Sequence, residues 1–487
     1  MEKFFKLKEN NTTVRAEVIA GFTTFFAMSY IIFVNPLILS ASGMPSQGVF
    51  VATCLSSAIA TILIALIANV PYALAPGMGL NAYFTYTVVF ALGFTWQEAL
   101  ALVFVCGVIN ILVTVTKFRQ AIIKAIPESL QNAISGGIGI FIAYIGLKNA
   151  NFIDFSVDPG SIVSINNKAY DVTQTAYEGG IFAVNANGNT NISLTTFTNP
   201  MTIVVLLGII LTVVLIVKKS KLAIILGILG TTAMAWVADP SILQNFSFES
   251  VSFGKTFSDF GQVFGVALGA EGLGKLLADP SRYPLILVTI FAFSITDVFD
   301  TIGVFIGTGK KSGIFSEEHE VVKEDGTVHN PKMERALFGD AIGTSIGAVL
   351  GTSNVTTYVE SSAGIGAGGR TGLTSIVVAA CFILSIFLAP IIGLIPGAAT
   401  APALIIVGIM MLSPFKEIEW EDMDEAIPAF FTSIFMGLVF SISYGIAFGF
   451  LAYIVVKTVK GKAKEVHPIL WITVLLFIAN FVILALV

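Results

Sequence analysis

Ser294-Ile295-Thr296-Asp297-Val298-Phe299-Asp300-Thr301-Ile302-Gly303 lies in the middle of an apolar run from about Pro284 to Gly307. At about 1.5 Å rise per residue that run is long enough to cross a bilayer as a helix. Asp297 falls near its midpoint and Asp300 one turn later, so the two carboxylates share roughly one face. Each such Asp costs about 2.5–3.5 kcal/mol at the centre of an inserted helix. The pair must therefore face protein or water. An acidic group at that depth is a functional-site candidate; the competing reading is a pair tied to hydroxyls and backbone only to fix helix packing.

The rest of the chain extends this reading. Of 487 residues, 55% are hydrophobic and 12% charged, and the mean hydropathy is +0.88, against about 25% charged in a soluble domain. Apolar runs of spanning length recur from Glu17 to Val487, which makes this an all-α polytopic membrane protein. A net charge of −5 with no basic stripe excludes a nucleic-acid partner. Cys54, Cys106 and Cys381 sit inside apolar runs and read as small core residues, with neither a disulfide framework nor metal-ligand spacing. His319, His329 and His467 fall in polar loops and read as solvated surface. No cofactor motif, buried Ser/His pair or histidine metal set is present, so an intramembrane hydrolase is disfavoured. The short charged start, Met1 to Asn10, has no cleavage site after it, so a cleaved signal peptide is not expected.

Spans are expected at about Glu17 to Leu39, Val49 to Ala68, Gln97 to Thr116, Gln131 to Lys148, Met201 to Val217, Leu222 to Val237, Pro284 to Gly307, Glu334 to Leu350, Leu373 to Leu394 and Ala403 to Leu412. Two further segments are broken. Pro71 to Phe84 holds two prolines and two glycines and reads as a short extended stretch followed by a half-length helix from near Gly79. Gly351 to Gly364 opens in the same way. Ala426 to Val459 is too long for one span and should bend near Ser443-Tyr444-Gly445. Pro468 to Val487 is either a last span or an interfacial helix. Asn149 to Thr198, rich in Asn, Thr and Gly, reads as an exposed loop, and an amphipathic loop precedes Tyr283.

Basic residues set the orientation. With Lys3, Lys6, Lys8 and Arg15 in the cytoplasm, Lys117/Arg119/Lys124, Lys218/Lys219/Lys221, Lys310/Lys311/Lys332/Arg335, Arg370 and Lys457/Lys460/Lys462/Lys464 all fall inside, for about fourteen spans. The broken third and tenth spans stand two after the first and the eighth. The repeat unit is thus seven spans, an odd number that inverts the second copy. Interrupted helices at matching places in inverted halves mark a transporter's substrate site.

Half-helices meeting near the midplane aim backbone N–H groups at one point. Asn81 is placed in the first turns of one and Glu360 of the other, with Asp297 and Asp300 alongside and no Lys or Arg in those spans. Such a cluster repels an anion and suits a neutral ligand with N–H donors, since ionised carboxylates only accept. Phe84, Tyr83, Phe299 and Tyr358 are candidates to stack on a flat ring, though core packing is the more frequent role of such residues. Burial disfavours an ionised carboxyl and hydrogen bonds favour it. A group balanced between the two carries a proton across, so Glu360, Asp297 or Asp300 is the expected proton carrier, with Na⁺ on the same oxygens as a weaker alternative. Thr296, Thr301, Thr356 and Ser361 are expected to bond the carboxylates or to back-bond to their own helices.

Ala75-Pro76-Gly77-Met78-Gly79-Leu80-Asn81-Ala82-Tyr83-Phe84, Asp297-Val298-Phe299-Asp300-Thr301-Ile302-Gly303 and Asn354-Val355-Thr356-Thr357-Tyr358-Val359-Glu360-Ser361 resemble the AzgA-like purine permeases, a branch of the nucleobase–cation symporter-2 group. The resemblance covers nearly the whole chain. It implies a seven-plus-seven inverted repeat, two half-helices preceded by short extended strands, and two domains. The core would be 1–117 and 284–395, and the gate 118–283 and 396–487. It also implies uptake of hypoxanthine, guanine or adenine with protons in the plasma membrane. Asn81, Asp297 and Glu360 would contact the purine, and Gly79 and Asp300 would support binding or translocation. The equal alternative for Gly79 is that it serves only the turn into its half-helix. A homodimer is expected by analogy with this fold alone. The alternatives are an anion exchanger of sulfate-permease type on the same fold, and a receptor that binds without transport.

Overall fold

The computed structural model describes residues 2–116, 126–157, 162–165, 168–169, 184–186, 190–220, 222–244, 252–310, 312–315, 321–322, 328–329, 331–439 and 442–486. Lys117, Arg119, Lys124, Lys221, Lys311 and His319, all used above, lie outside the described residues. Among those described, eight helical stretches are long and apolar enough to cross a membrane, and two shorter apolar helices accompany them.

The chain begins with α1 (Glu2–Phe5), α2 (Val14–Met28), α3 (Ile31–Ser40) and α4 (Ser46–Ala68). The first span is therefore two helices, parted at Ser29-Tyr30. Next comes strand β1 (Leu74–Pro76), then α5 (Met78–Ala82), which continues in wider π turns over Tyr83–Ala91. This is the extended stretch and half-helix that the Pro and Gly pattern requires. α6 (Trp96–Val115) starts with a capping box in which Thr95 and Glu98 satisfy each other's backbone N–H, and α7 (Glu128–Asn149) follows.

The loop after α7 departs from expectation. It holds β2 (Ile153–Val157), β3 (Ile162–Ile165), β4 (Lys168–Ala169), β5 (Val184–Ala186) and β6 (Thr190–Leu194), paired as β2–β6 and β4–β3–β5. An all-helical reading misses these small antiparallel sheets, although Ile153-Asp154-Phe155-Ser156-Val157 alternates as a strand should.

α8 (Pro200–Val217) and α9 (Ala223–Ala238) precede the short α10 (Ser241–Gln244) and the surface helix α11 (Phe253–Val263). The decisive stretch is α12 (Tyr283–Val304). A two-stranded β7–β8 ribbon (Val321–Val322, Val328–His329) leads to α13 (Pro331–Leu350), then β9 (Val355–Thr357) and the six-residue half-helix α14 (Ser361–Gly366). α15 (Gly372–Ser385), α16 (Gly397–Met410), α17 (Met423–Leu438), α18 (Ile442–Val459) and α19 (Pro468–Leu486) complete the chain. The expected interruption lies between Leu438 and Ile442, a few residues ahead of Ser443–Gly445. The chain reverses before Ile442, and α18 packs back along α17, because Gly445 and Gly449 present bare backbone to Met436 and Thr432. Small residues at this spacing let helices approach closely where lipid supplies no hydrophobic drive. His467 is half-buried and not merely solvated: its Nδ1 accepts from Ile469 N at 3.3 Å at the start of α19.

Packing sorts most helices into two sets. α4 contacts α3, α11, α13 and α15, while α2 lies on α14 and α15 and α6 on α12 and α13; the second set joins α7, α8, α9, α16, α17 and α18. β1 and β9 pair antiparallel, Leu74 with Thr357, Ala75 with Thr356 and Pro76 with Val355. The ladder supplies main-chain partners that irregular backbone at membrane depth must find within the protein.

Glu17 ties the start of the chain to α15. It is fully buried; Oε1 accepts from Arg370 N at 2.9 Å, and Oε2 from Thr371 N at 3.3 Å, Thr374 N at 3.1 Å and the Thr374 hydroxyl at 2.6 Å. The carboxylate thus caps the N-terminus of α15, where negative charge is favoured.

Two outcomes follow. Glu17→Ala strands these donors and should cost about 2–4 kcal/mol, read as a lower melting temperature of the detergent-solubilised protein; unchanged melting refutes the clamp. At Gly79 of α5 an added Cβ overlaps Ile138 Cγ2 of α7. Gly79→Ala should destabilise by about 1–3 kcal/mol through overpacking, and Ile138→Ala in the same chain should restore part of the loss. Additive losses in the double variant would contradict a clash between these two residues.

Candidate functional site

Because β1 and β9 run antiparallel, α5 and α14 leave the ladder from opposite ends. At one end Gly77 N donates to Asn354 O at 2.9 Å. There Ser353 Oγ donates to Asn81 Oδ1, so the two openings are tied by side chains as well. Asn81 is fully buried in the first turn of α5, and among the described residues its amide nitrogen has only Met78 Sδ, at 4.0 Å. At the other end Tyr358 N donates to Ala73 O at 3.0 Å, and Ala73 N donates to Ser361 Oγ at 3.1 Å. Glu360 occupies the N-cap position of α14. It therefore precedes the half-helix and is not within its first turns. The two ends stand about 7 Å of ladder apart.

α12 runs beside β9 and carries the aspartates. Asp297 is 1% exposed, and its Oδ2 accepts from Asn110 Nδ2 at 2.8 Å and Thr344 Oγ1 at 3.0 Å. Thr344 also donates to Val355 O at 3.0 Å, which joins Asp297 to the ladder. The Ser294 hydroxyl donates to Asn110 Oδ1. One turn on, Thr301 donates to Asp340 Oδ2 at 2.8 Å and lies 2.8 Å from the Thr356 hydroxyl, while Thr357 donates to Asp340 Oδ1 at 2.8 Å. Asp300 is partly exposed and stands in the field of Asp340 and Glu360. Glu360 Oε1 accepts from the Tyr30 hydroxyl at 2.6 Å.

The structure thus brings Asp300 and Glu360 together and sets Asp297 deeper, where its bonds shown here go to α6 and α13. The hydroxyls named in the sequence divide. Thr301 bonds a carboxylate, but that of Asp340. Thr356 bonds Thr301, Ser361 accepts a backbone N–H, and Thr296 Oγ1 has no hydrogen-bond partner among the described residues. The aromatic expectations are corrected as well. Phe84 is fully buried in the main apolar core, Tyr83 meets Phe293 edge-on at 4.7 Å, and the Tyr358 hydroxyl donates to Pro76 O at 2.5 Å. Tyr358 thereby braces the strand pair. The side chain of Phe299 lies outside those described. Gly79 abuts Ile138, so crowding at this position falls on α7. Arg370 donates to Ile365 O and Gly369 O, each at 2.7 Å, and closes the C-terminal end of α14.

Sequence reasoning passed over Tyr30, Asn110, Asp340, Thr344 and Ser353. Asp340 and Asn110 carried a usable signal, a strongly polar residue within an apolar span, which is the same argument that singled out Asp297. No described cluster of three or more His, Cys, Asp and Glu side chains is arranged to hold a metal ion.

Against known proteins, the profile of the Permease family, the xanthine/uracil permeases, matches residues 15–178 and 172–448. The adenine permease AdeP of Escherichia coli (strain K12) is 37% identical over 493 residues, covering 99% of this chain and 96% of AdeP. The guanine/hypoxanthine permease PbuO of Bacillus subtilis (strain 168) is 36% identical over 490 residues, covering 99% of this chain and 100% of PbuO. Among solved structures, the transmembrane domain of the cyanobacterial bicarbonate transporter BicA superposes with a TM-score of 0.56 over 90% of this chain and 97% of that one. Its 14% identity makes this a likeness of fold alone. A polytopic helical fold, a pair of broken helices joined by a short ladder, and likeness along the full length agree: this chain is an integral membrane protein that belongs to the Permease family.

Proposed function

We propose that this protein is a secondary active transporter that imports purine nucleobases, among hypoxanthine, guanine and adenine, by proton symport with alternating access. The observation that carries the reading is the carboxylate of Glu360, held by Tyr30 at the start of α14 beside partly exposed Asp300. Among the described residues this arrangement offers acceptors and no cation, which suits an uncharged ring with N–H donors. Relatives alike over the whole chain are adenine and guanine/hypoxanthine permeases. In this reading Glu360, Asn81 and Asp297 recognise the purine, and Asn81 retains amide N–H groups for a ring nitrogen or carbonyl oxygen. Glu360, Asp300 or Asp297 carries the proton.

The proposed architecture is a seven-plus-seven inverted repeat, with the core formed by 1–117 and 284–395 and the gate by 118–283 and 396–487. The contact of Gly79 with Ile138 lies on that boundary, where rocking of one body against the other would slide the two surfaces. The N-terminus is placed in the cytoplasm of a plasma-membrane protein by the distribution of lysine and arginine. An anion exchanger on the same fold is the other reading. Acidic groups at the crossing, with no lysine or arginine among them, oppose it.

The test is hypoxanthine uptake into proteoliposomes under an imposed pH gradient in sodium-free buffer. Uptake should be stimulated when the outside is acidic, and no response to the gradient removes proton coupling. Glu360→Gln keeps the shape and removes the charge. It should cut uptake at least tenfold, the loss of a hydrogen bond to a charged group, while the protein still reaches the membrane; near-normal uptake ends the proposed role of Glu360. Sulfate competing for purine uptake would favour the exchanger.

A further inference from the structure

We infer that Tyr30, a residue that contacts no substrate in this reading, is the positioning residue for Glu360 and so sets purine affinity. The inference rests on the proposal that Glu360 contacts the purine. Tyr30 is 1% exposed and stands where the first span is parted, after α2 ends at Met28 and before α3 begins at Ile31. From there its hydroxyl reaches across 330 positions of sequence to Glu360 Oε1 at 2.6 Å. That length is typical of an O–H donated to a carboxylate, the stronger class of hydrogen bond. The other ionisable groups near the phenol are Asp300 of α12 and Tyr358, which precedes α14.

The geometry makes the two oxygens of Glu360 unequal. A phenol has one proton to give, and it goes to Oε1. With Oε1 engaged, the rigid, buried ring fixes the angle at which the carboxylate meets a ligand. Glu360 stands at the N-cap of α14, where its carboxylate also bonds its own backbone; the tyrosine adds a second constraint, from a different helix. Pre-set acceptors lower the ordering cost of binding. The alternative is that Tyr30 packs into the core and the acid merely satisfies its hydroxyl, since buried tyrosine O–H groups usually find a partner.

The experiment compares Tyr30→Phe with the parent in proteoliposomes, reading hypoxanthine KM and Vmax separately, together with melting temperature in detergent. Loss of a charge-assisted hydrogen bond corresponds to a rise in KM of roughly tenfold, with Vmax within about twofold and melting unchanged. Tyr30→His retains a donor on a smaller ring and should bring KM part of the way back. An unchanged KM overturns the inference, as does a fall in Vmax and melting temperature with KM unmoved, the pattern of a purely structural residue. Glu360→Gln measured alongside separates the two layers. If it transports normally, the purine-site reading itself fails; if it is inactive while Tyr30→Phe keeps the parent KM, only the role of Tyr30 falls.

Discussion

Three residue pairs, Leu74–Thr357, Ala75–Thr356 and Pro76–Val355, hold the centre of this protein together. Two buried segments turn extended just before a short helix, and each would leave backbone N–H and C=O groups unpaired inside an apolar protein. Pairing the interruptions with each other resolves both at once. Side chains complete the arrangement: Tyr358 donates to Pro76 O, Ser353 to Asn81, and Thr61 both accepts from Leu74 N at 2.9 Å and donates to Leu74 O at 3.1 Å. The half-helices diverge from the ladder, so the residues at their starts are set by strand register and not by helix packing alone.

Around that ladder the buried acids have different surroundings. Asp297 and Asp340 each accept from side chains on neighbouring elements, which ties α6, α12, α13 and β9 into one body. A buried carboxylate held in this way is costly to disturb, because removing a partner leaves charge without compensation. Asp300 and Glu360 are more open. The contrast separates Asp297 and Asp340, fixed to neighbouring elements, from the more open Asp300 and Glu360, although all four look alike as acidic residues in apolar sequence.

Much of this was legible beforehand. The insertion cost of an aspartate picked out α12, and Pro71, Pro76 and Gly77 gave away the first broken span, because proline and glycine act locally. The partner of β1 was not legible in detail: a register that sets Leu74 against Thr357, 283 positions apart, leaves no periodic trace. Tyr30 looked like one more aromatic in an apolar run. Asp340 and Asn110 were readable by the argument already applied to Asp297. Ser443–Gly445 showed a break in a long apolar stretch, but the glycines there serve helix contact, and the reversal falls just before them. The alternation of Ile153 to Val157 was masked by the Asn- and Gly-rich composition around it.

The carboxylate of Glu17 lies in α2, yet the amides it caps, from Arg370 to Thr374, are made 353 to 357 positions later. During synthesis this acid has no native partner while every intervening helix is threaded into the bilayer. The native contact between α2 and α15 forms only once the sequence through Thr374 has been made. Docking of these two helices is therefore a late event, and a product cut off before residue 370 carries a buried acid without the amides that satisfy it.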